Sequence, residues 1–222
     1  IGVWLYVNQH ALQKDAETLF PLYQEWGIVG IKFGFVQYAT HRWSVWLHDM
    51  VKLAAENQLM VNIHDEYRPS GFSRTYPNLL TQEGIRGNEE FPDATHNTVL
   101  PFTRLISGAA DYTICYYDKR LVTTHAHQLA ASLIFYSPLQ TLFWYDKPSY
   151  YNNEPEIALF ESLPTIFDHS SVLLGEPGKQ IFIARRNKDD WFVGGITNNN
   201  GSDEIITLDF LEPGKTYLAF VY

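Results

Sequence analysis

The chain has 222 residues, 45% of them hydrophobic and 15% aromatic, a composition typical of a globular protein that buries a sizeable core. Its net charge of −9 argues against nucleic acid as a partner, because phosphate binding needs a basic patch. It contains no apolar run of about eighteen residues, so no membrane span is predicted. Cys115 is the single cysteine, which excludes a disulfide framework and a thiolate metal site.

The first residues form an apolar run, IGVWLYV, that is typical of a β-strand. A complete protein rarely starts inside a strand, and we therefore expect this chain to be a fragment of a longer protein. Any targeting signal would then lie upstream.

The first three quarters of the chain alternate between short apolar runs and helical patterns. Strands are predicted over Ile1–Val7, Ile28–Val36, Leu59–His64, Leu79–Gln82, Tyr112–Tyr116 and Gln140–Trp144, and helices over Gln13–Trp26, Arg42–Asn57, Thr98–Ser107, Ala126–Tyr136 and Glu156–Leu163. Repeated strand–helix units predict a parallel sheet, either doubly wound or closed into a barrel. The absence of a GxGxxG turn favours the barrel. We predict an α/β fold in which residues 1–167 form the later part, roughly strands 3–8, of a (β/α)8 TIM-type barrel.

The pattern changes after Asp168. Four apolar runs follow, separated by Pro-Gly and Asn-Gly turns: IFIARRN, WFVGGITN, EIITLDF and TYLAFVY. Strands at such regular spacing predict a small antiparallel β-sandwich domain over residues 168–222.

Candidate site residues follow from the rule that a barrel builds its site at the carboxyl ends of its strands. This rule selects Lys32, Gly34, His64, Asp65, Glu66, Glu83, Glu89 and Glu90. Carboxylates at successive strand ends suit either a divalent cation or glycosidic acid/base chemistry.

Each candidate also has a purely structural interpretation. Lys32 lies inside an apolar strand, where a buried ammonium is costly unless it is paired, so a role in the site is favoured. Glu83 and Glu89 flank Gly84 and Gly87, and a charged turn on the surface would show the same pattern. His125 and His127 open a predicted helix, but two positions apart on a helix they point in different directions, and we expect both to be structural.

Three segments carry a resemblance to a known family: GIKFGFV, NIHDE and SRTYPNLLTQEGIRGNE. They resemble the barrel motifs of glycoside hydrolase family 97, which contains calcium-dependent α-glucosidases and α-galactosidases. The resemblance is closest to the retaining α-galactosidase branch. It implies an α-galactoside substrate, a Ca²⁺ cofactor, an extracytoplasmic and periplasmic location, and a large N-terminal β-sandwich that, with the first barrel strands, lies outside this chain.

The resemblance also implies roles for individual residues. Glu89 resembles the family's general acid/base. The calcium ligands implied within this chain are Glu83, Glu89 and Asp65, with a further ligand from the N-terminal domain. Lys32 and His64 resemble residues that contact the sugar.

Gly34 departs from the pattern of the retaining branch, which has an Asp nucleophile at this position. One interpretation is a retaining enzyme whose nucleophile is replaced, leaving a space the size of a carboxylate, with little hydrolysis and a glycosynthase activity. The alternative is a natural inverting α-glucosidase that uses a carboxylate near Asp65 to activate water. A third interpretation is a carbohydrate-binding protein without activity. A glycine at a bulge near the ligand is compatible with the first two.

Overall fold

A computed structural model describes residues 1–222, which divide into two compact units. The first unit comprises Ile1–Gly87, Arg104–Tyr112 and Ser137–Gln140. The second comprises Asn88–Thr103, Thr113–Tyr136 and Thr141–Tyr222.

The first unit is built on a parallel sheet of four strands in the order β1-β2-β3-β4. Its elements are β1 (Val3–Asn8), α1 (Gln9–Glu25), β2 (Ile28–Gly34), α2 (His41–Glu56), β3 (Met60–Ile63) and β4 (Leu79–Gln82). Every strand and helix predicted for this stretch is present, with ends shifted by a few residues. Parallel pairing of strands separated by helices confirms the α/β class.

Local signals explain where the helices of this unit begin. The side chain of Asn8 accepts a hydrogen bond from the His10 amide and caps α1, while Thr40 caps α2 through the Trp43 amide. The helices cover an apolar core in which Phe33 of β2 and Ile63 of β3 are fully buried. Burial of the central strands accounts for their nearly continuous apolar sequence.

The second unit contains three short helices and an antiparallel sheet. Its elements are α3 (Ala94–Asn97), α4 (His125–Ile134), α5 (Ala158–Ser162), β5 (His169–Glu176), β6 (Gln180–Asn187) and β7 (Asp190–Thr197). The strands pair in the order β5-β6-β7. Gly194 of β7 allows α4 to approach closely, since a Cβ there would lie 3.1 Å from the Leu133 side chain.

Two strands predicted in the barrel portion are wrong. The runs 112–116 and 140–144 form only one parallel bridge, between Ile114 and Leu142. Each run contains a residue with left-handed backbone geometry, Thr113 with φ 56° and Phe143 with φ 58°, which interrupts an extended strand.

Other elements also differ from the sequence-based prediction. The helix predicted over Thr98–Ser107 is divided into two 3-10 helices, Leu100–Phe102 and Arg104–Ser107. The runs EIITLDF and TYLAFVY form no strand in the chain, and their apolar side chains are exposed, Ile205 at 93% and Leu218 at 83%. The first strand of the antiparallel sheet, β5, was not among the predicted runs.

None of the helices is both long enough and apolar enough to cross a membrane. Cys115 is fully buried, and burial raises the pKa of its thiol to about 11, so the unreactive thiol form prevails.

His127 is a buried histidine of α4, and its Nε2 lies 2.9 Å from Asn97 Nδ2. Desolvation lowers the pKa of His127 to about 4, from 6.5. The folded state therefore resists a proton that the unfolded state accepts, and stability is lost as the pH falls from about 6.5 towards 4.

We predict that His127 contributes about 2 kcal/mol to the fall in unfolding free energy between about pH 7 and pH 5. The measurement is urea denaturation of the full-length protein and its His127→Gln variant at both pH values. The variant should lose less stability over this interval. His125→Gln is the matched control, because His125 is exposed. Equal pH dependence in the His127 variant and the unchanged protein would contradict the assignment.

Candidate active site and metal cluster

The parallel register of the first unit places polar side chains in two successive rows. Tyr6 pairs with Lys32, Lys32 with Asn62, and Asn62 with Thr81, so these four residues face the same side of the sheet. The second row lies two residues further along each strand, towards the carboxyl ends. It comprises Asn8, Gly34, His64 and Glu83.

Lys32 is buried in the first row and forms an ion pair there. Its ammonium donates to Asp111 Oδ2 at 2.7 Å, and the Asn62 amide donates to the same oxygen at 2.7 Å. Asp111 is thus a partner of the kind that a buried ammonium needs. Asp111 is fully buried, so its carboxylate is shielded from water, whereas Lys32 keeps a small exposed fraction.

His64, Asp65 and Glu83 converge in the second row and in the turn that follows it. Each offers a ligand atom, and these atoms all lie within 4.8 Å of one another. His64 Nδ1 lies 2.8 Å from Glu83 Oε2, and both side chains are almost completely buried. This is a group of side chains that can hold a metal ion.

The backbone around this cluster is fixed from several directions. Asp65 has a left-handed φ of 62°, a geometry that aspartate tolerates, and its Oδ2 accepts from the Val36 amide at 2.8 Å. The Arg104 guanidinium donates to the carbonyl oxygens of Gln82, Glu83 and Gly84 at 3.1, 2.8 and 3.0 Å. Desolvation lowers the pKa of Arg104 to about 10, which still leaves it charged near neutral pH. Arg104 therefore holds the backbone on both sides of Glu83.

Gly34 does not leave an empty space, and that part of the sequence-based expectation is wrong. A Cβ at position 34 would lie 2.1 Å from Tyr6 Cζ and 2.2 Å from Tyr6 Oη. The Tyr6 ring reaches from the first row into the second because Gly34 has no side chain. It lies edge-on to the His64 ring, with 5.8 Å between centroids.

Glu89 belongs to the second unit, where it is half-buried on the 3-10 helix Asn88–Glu90. This helix is anchored by Asn88, whose buried amide donates to Gln128 Oε1 of α4 at 2.7 Å. Gln128 donates in turn to Thr123 Oγ1 at 2.8 Å. Glu89 thus sits on a short segment held by a buried amide pair.

Aromatic side chains surround this segment. Phe91 stacks on Tyr145 with 5.9 Å between centroids, and the Arg120 guanidinium lies 4.5 Å from each ring. Burial raises the pKa of Tyr145, and the negative charge of Glu89 adds to this effect. Glu89 therefore acts electrostatically on a partly exposed phenol.

The donor atoms of the cluster fit a calcium ion in part. Carboxylate oxygens of Asp65 and Glu83 are ligands that calcium prefers, whereas the imidazole of His64 is more typical of transition metals. Calcium takes about six to eight oxygen ligands, so further oxygens must complete its shell. The sequence-based ligand set named Glu83, Glu89 and Asp65. The cluster found within the first unit contains His64 together with Asp65 and Glu83.

Four residues of the site were not selected from the sequence: Asp111, Asn62, Arg104 and Tyr6. Asn62 carried a usable signal, since a polar residue at the centre of the apolar run LMVNIH is costly unless it is bonded. Asp111 also had a signal, as it directly precedes an apolar run. Arg104 and Tyr6 act through contacts distant in sequence, and no local pattern indicates them.

Comparison with known proteins places this geometry in a family. The sequence model described as Glycoside hydrolase 97 matches residues 1–85, and the one described as Glycosyl-hydrolase 97 C-terminal, oligomerisation matches residues 166–222. The chain belongs to glycoside hydrolase family 97. It is 32% identical to a retaining alpha-galactosidase of Bacteroides thetaiotaomicron over 243 residues, with all of this chain and 36% of the relative covered. It is 30% identical to a probable retaining alpha-galactosidase of Streptomyces bingchenggensis, with 88% of this chain and 31% of that protein covered.

Solved structures of family 97 enzymes are similar to this chain. A single-residue variant of a family 97 enzyme from Pseudoalteromonas sp. strain K8 superposes with a TM-score of 0.84 at 28% identity, covering 96% of this chain and 39% of the enzyme. The same organism's enzyme in complex with acarbose gives 0.83 at 28% identity, with 95% and 38% covered. The chain spans about a third of the length of its curated relatives. These likenesses support an α/β fold followed by a C-terminal β-sandwich.

We predict that Asp111→Asn lowers the unfolding free energy by about 3–5 kcal/mol, because it removes the charge of the carboxylate to which the buried Lys32 ammonium donates. Urea denaturation of the full-length protein measures this loss. Asp49→Asn is the control, since Asp49 pairs with Lys52 on the exposed surface and its removal should change little. Similar effects of the two substitutions would show that the buried pair is not important for stability.

Proposed function

We propose that the full-length protein is a glycosidase that acts on terminal α-galactosides. The observation that carries this proposal is the convergence of His64, Asp65 and Glu83 at the carboxyl ends of parallel strands, in a chain of family 97. The α-galactosidases named among its relatives support galactose as the sugar. We further propose that β1–β4 are four of the eight strands of a closed barrel, and that the protein works in the periplasm.

Each site residue takes a distinct part in this proposal. Glu89 is the general acid that protonates the leaving oxygen. In a retaining two-step reaction it would also act as the general base of the second step. Lys32 and His64 contact the sugar. Asp65 and Glu83 would hold Ca²⁺ within the first unit. Glu89 is a further ligand that the family resemblance implies, and the bound ion would polarise and orient the oxygens that it contacts. Arg104 keeps the Glu83 carboxylate in place by binding the backbone on either side of it.

The reaction course depends on Gly34, which offers no carboxylate to attack the anomeric carbon. In the first version of the proposal, the protein is a retaining enzyme without its nucleophile, with little hydrolysis and a glycosynthase activity towards β-configured donors. In the second, the protein is an inverting α-glucosidase: a carboxylate near Asp65 accepts a proton from the attacking water, Glu89 protonates the leaving oxygen, and the configuration inverts. The Tyr6 ring over Gly34 argues against the glycosynthase activity of the first version, because the leaving group of a β-configured donor would need the volume that the ring takes.

A non-catalytic carbohydrate-binding protein is the candidate from another class. Such a protein has no need of a general acid, and the presence of Glu89 together with an intact Glu83 cluster argues against it. Turnover of any α-glycoside by the full-length protein would exclude this candidate.

We predict that the full-length protein hydrolyses p-nitrophenyl α-galactoside slowly and releases the β anomer first. Glu89→Gln should lower kcat by about 100-fold or more, because proton donation to the leaving group is lost. The measurements are initial rates and ¹H NMR of the first sugar formed. Glu90→Gln is the matched control, since Glu90 is the exposed neighbour on the same 3-10 helix. Release of the α anomer first, or equal losses in the two variants, would count against the proposal.

We predict that Glu83→Gln and Asp65→Asn each weaken calcium binding by about tenfold or more, because each removes a charged ligand. Isothermal titration of the chelator-treated full-length protein with CaCl₂ measures the Kd directly. Glu66→Gln is the control, as Glu66 is exposed and lies outside the cluster. If Glu66→Gln weakens binding as much as the other two, the cluster is not the calcium site.

A further inference from the structure

Tyr6 and Gly34 lie on neighbouring parallel strands and fit each other closely. Tyr6 of β1 pairs in register with Lys32 of β2, and its ring extends past Lys32 to the next residue on the same face, Gly34. The ideal Cβ at position 34 would lie between 2.1 and 2.3 Å from three atoms at the end of the Tyr6 ring. A side chain at position 34 and the phenol of Tyr6 therefore compete for the same volume.

Two aromatic rings lie edge-on to the Tyr6 ring. The centroid of the Phe35 ring lies 6.4 Å from that of the Tyr6 ring, and the centroid of the His64 ring lies 5.8 Å from it. Tyr6 is nevertheless 44% exposed. His64 belongs to the metal cluster, and this places the phenol beside the cluster as well as over Gly34.

We propose that Tyr6 decides the reaction course of this site: its phenol takes the volume of the nucleophilic carboxylate and blocks covalent attack on the sugar. Gly34 and Tyr6 then act as one pair, and Gly34 is the partner that makes room for the ring. This inference rests on the proposed glycosidase function. It follows that a carboxylate at position 34 is unproductive while Tyr6 stays in place, and becomes productive when Tyr6 is shortened.

The geometric half of the proposal can be tested without any activity. Thermal unfolding of the full-length protein is compared for the unchanged form, Gly34→Ala, Tyr6→Ala and the double variant. Gly34→Ala should lower the Tm in the presence of Tyr6, since overpacking is destabilising, and should have little effect once Tyr6 is Ala. Tyr38→Ala is the control, because it removes another aromatic residue of the first unit without rescuing Gly34→Ala. Equal Tm losses in all backgrounds would overturn the steric claim.

The chemical half is tested by trapping a covalent glycosyl-enzyme. The probes are 2,4,6-trinitrophenyl 2-deoxy-2,2-difluoro-α-galactoside and its glucose counterpart, followed by intact-protein mass spectrometry. In the Gly34→Asp/Tyr6→Ala variant, the introduced carboxylate attacks the anomeric carbon, an ester bond forms, and the bond to the phenolate oxygen breaks with release of trinitrophenolate. We expect labelling of this variant at least about tenfold faster than of Gly34→Asp alone, and none of the unchanged protein.

Two outcomes would overturn the proposal: labelling of Gly34→Asp alone as fast as the double variant, or no labelling of the double variant by either probe. Failure of the proposed glycosidase function is recognised separately, by the absence of both α-glycoside hydrolysis and α-glycoside binding in the unchanged protein. In that case the Tm comparison still decides whether Tyr6 and Gly34 exclude one another.

Discussion

The buried ion pair between Lys32 and Asp111 is the interaction on which the first unit depends. An ammonium inside an apolar strand is tolerated only with a counter-charge, and Asp111 supplies it at 2.7 Å from a segment distant in sequence. Asn62 binds the same carboxylate oxygen, so β2 and β3 are joined through one atom. Lys32 and Gly34 are two residues apart on one strand, so they lie on the same side of the sheet. The ion pair that fixes the orientation of Lys32 therefore also fixes the side of the sheet to which Gly34 belongs.

A second constraint concerns the backbone after β4. Arg104 is half-buried, and its guanidinium donates to successive carbonyl oxygens around Glu83. These carbonyl oxygens lie at the end of β4 and directly after it. The chain then turns at Gly84, where φ is 50° and an added Cβ would lie 2.1 Å from the Tyr67 carbonyl oxygen. Only glycine fits so close to that backbone. The turn at Gly84 follows Glu83, whose side chain points towards His64. The group of side chains that can hold a metal ion is thus supported by a guanidinium that binds the backbone around Glu83.

The close fit of Gly34 and Tyr6 changes how an absent catalytic residue is interpreted. From the sequence, a glycine where the family resemblance implies a nucleophile predicts a missing group and an empty space. In the folded chain the space is filled by a ring from the neighbouring strand, packed against His64. A glycine at position 34 is compatible with two kinds of site, one that has lost its nucleophile and one arranged for a different reaction. The two kinds differ in what occupies the volume next to the glycine, which the sequence motif alone does not show.

The sequence by itself determined the parallel α/β class, the elements from β1 to β4, and the group of polar residues at strand ends, because these follow from local periodicity and from the two-residue alternation of a strand. The family also followed from the sequence, through the motif around Glu83 and Glu89. Only the tertiary structure decided that the runs 112–116 and 140–144 are not regular strands, since left-handed geometry at single residues leaves no mark on apolar periodicity. It likewise decided that Asp111 neutralises Lys32 and that Tyr6 covers Gly34. Both contacts join segments that only folding brings together, and no local pattern of residues encodes them.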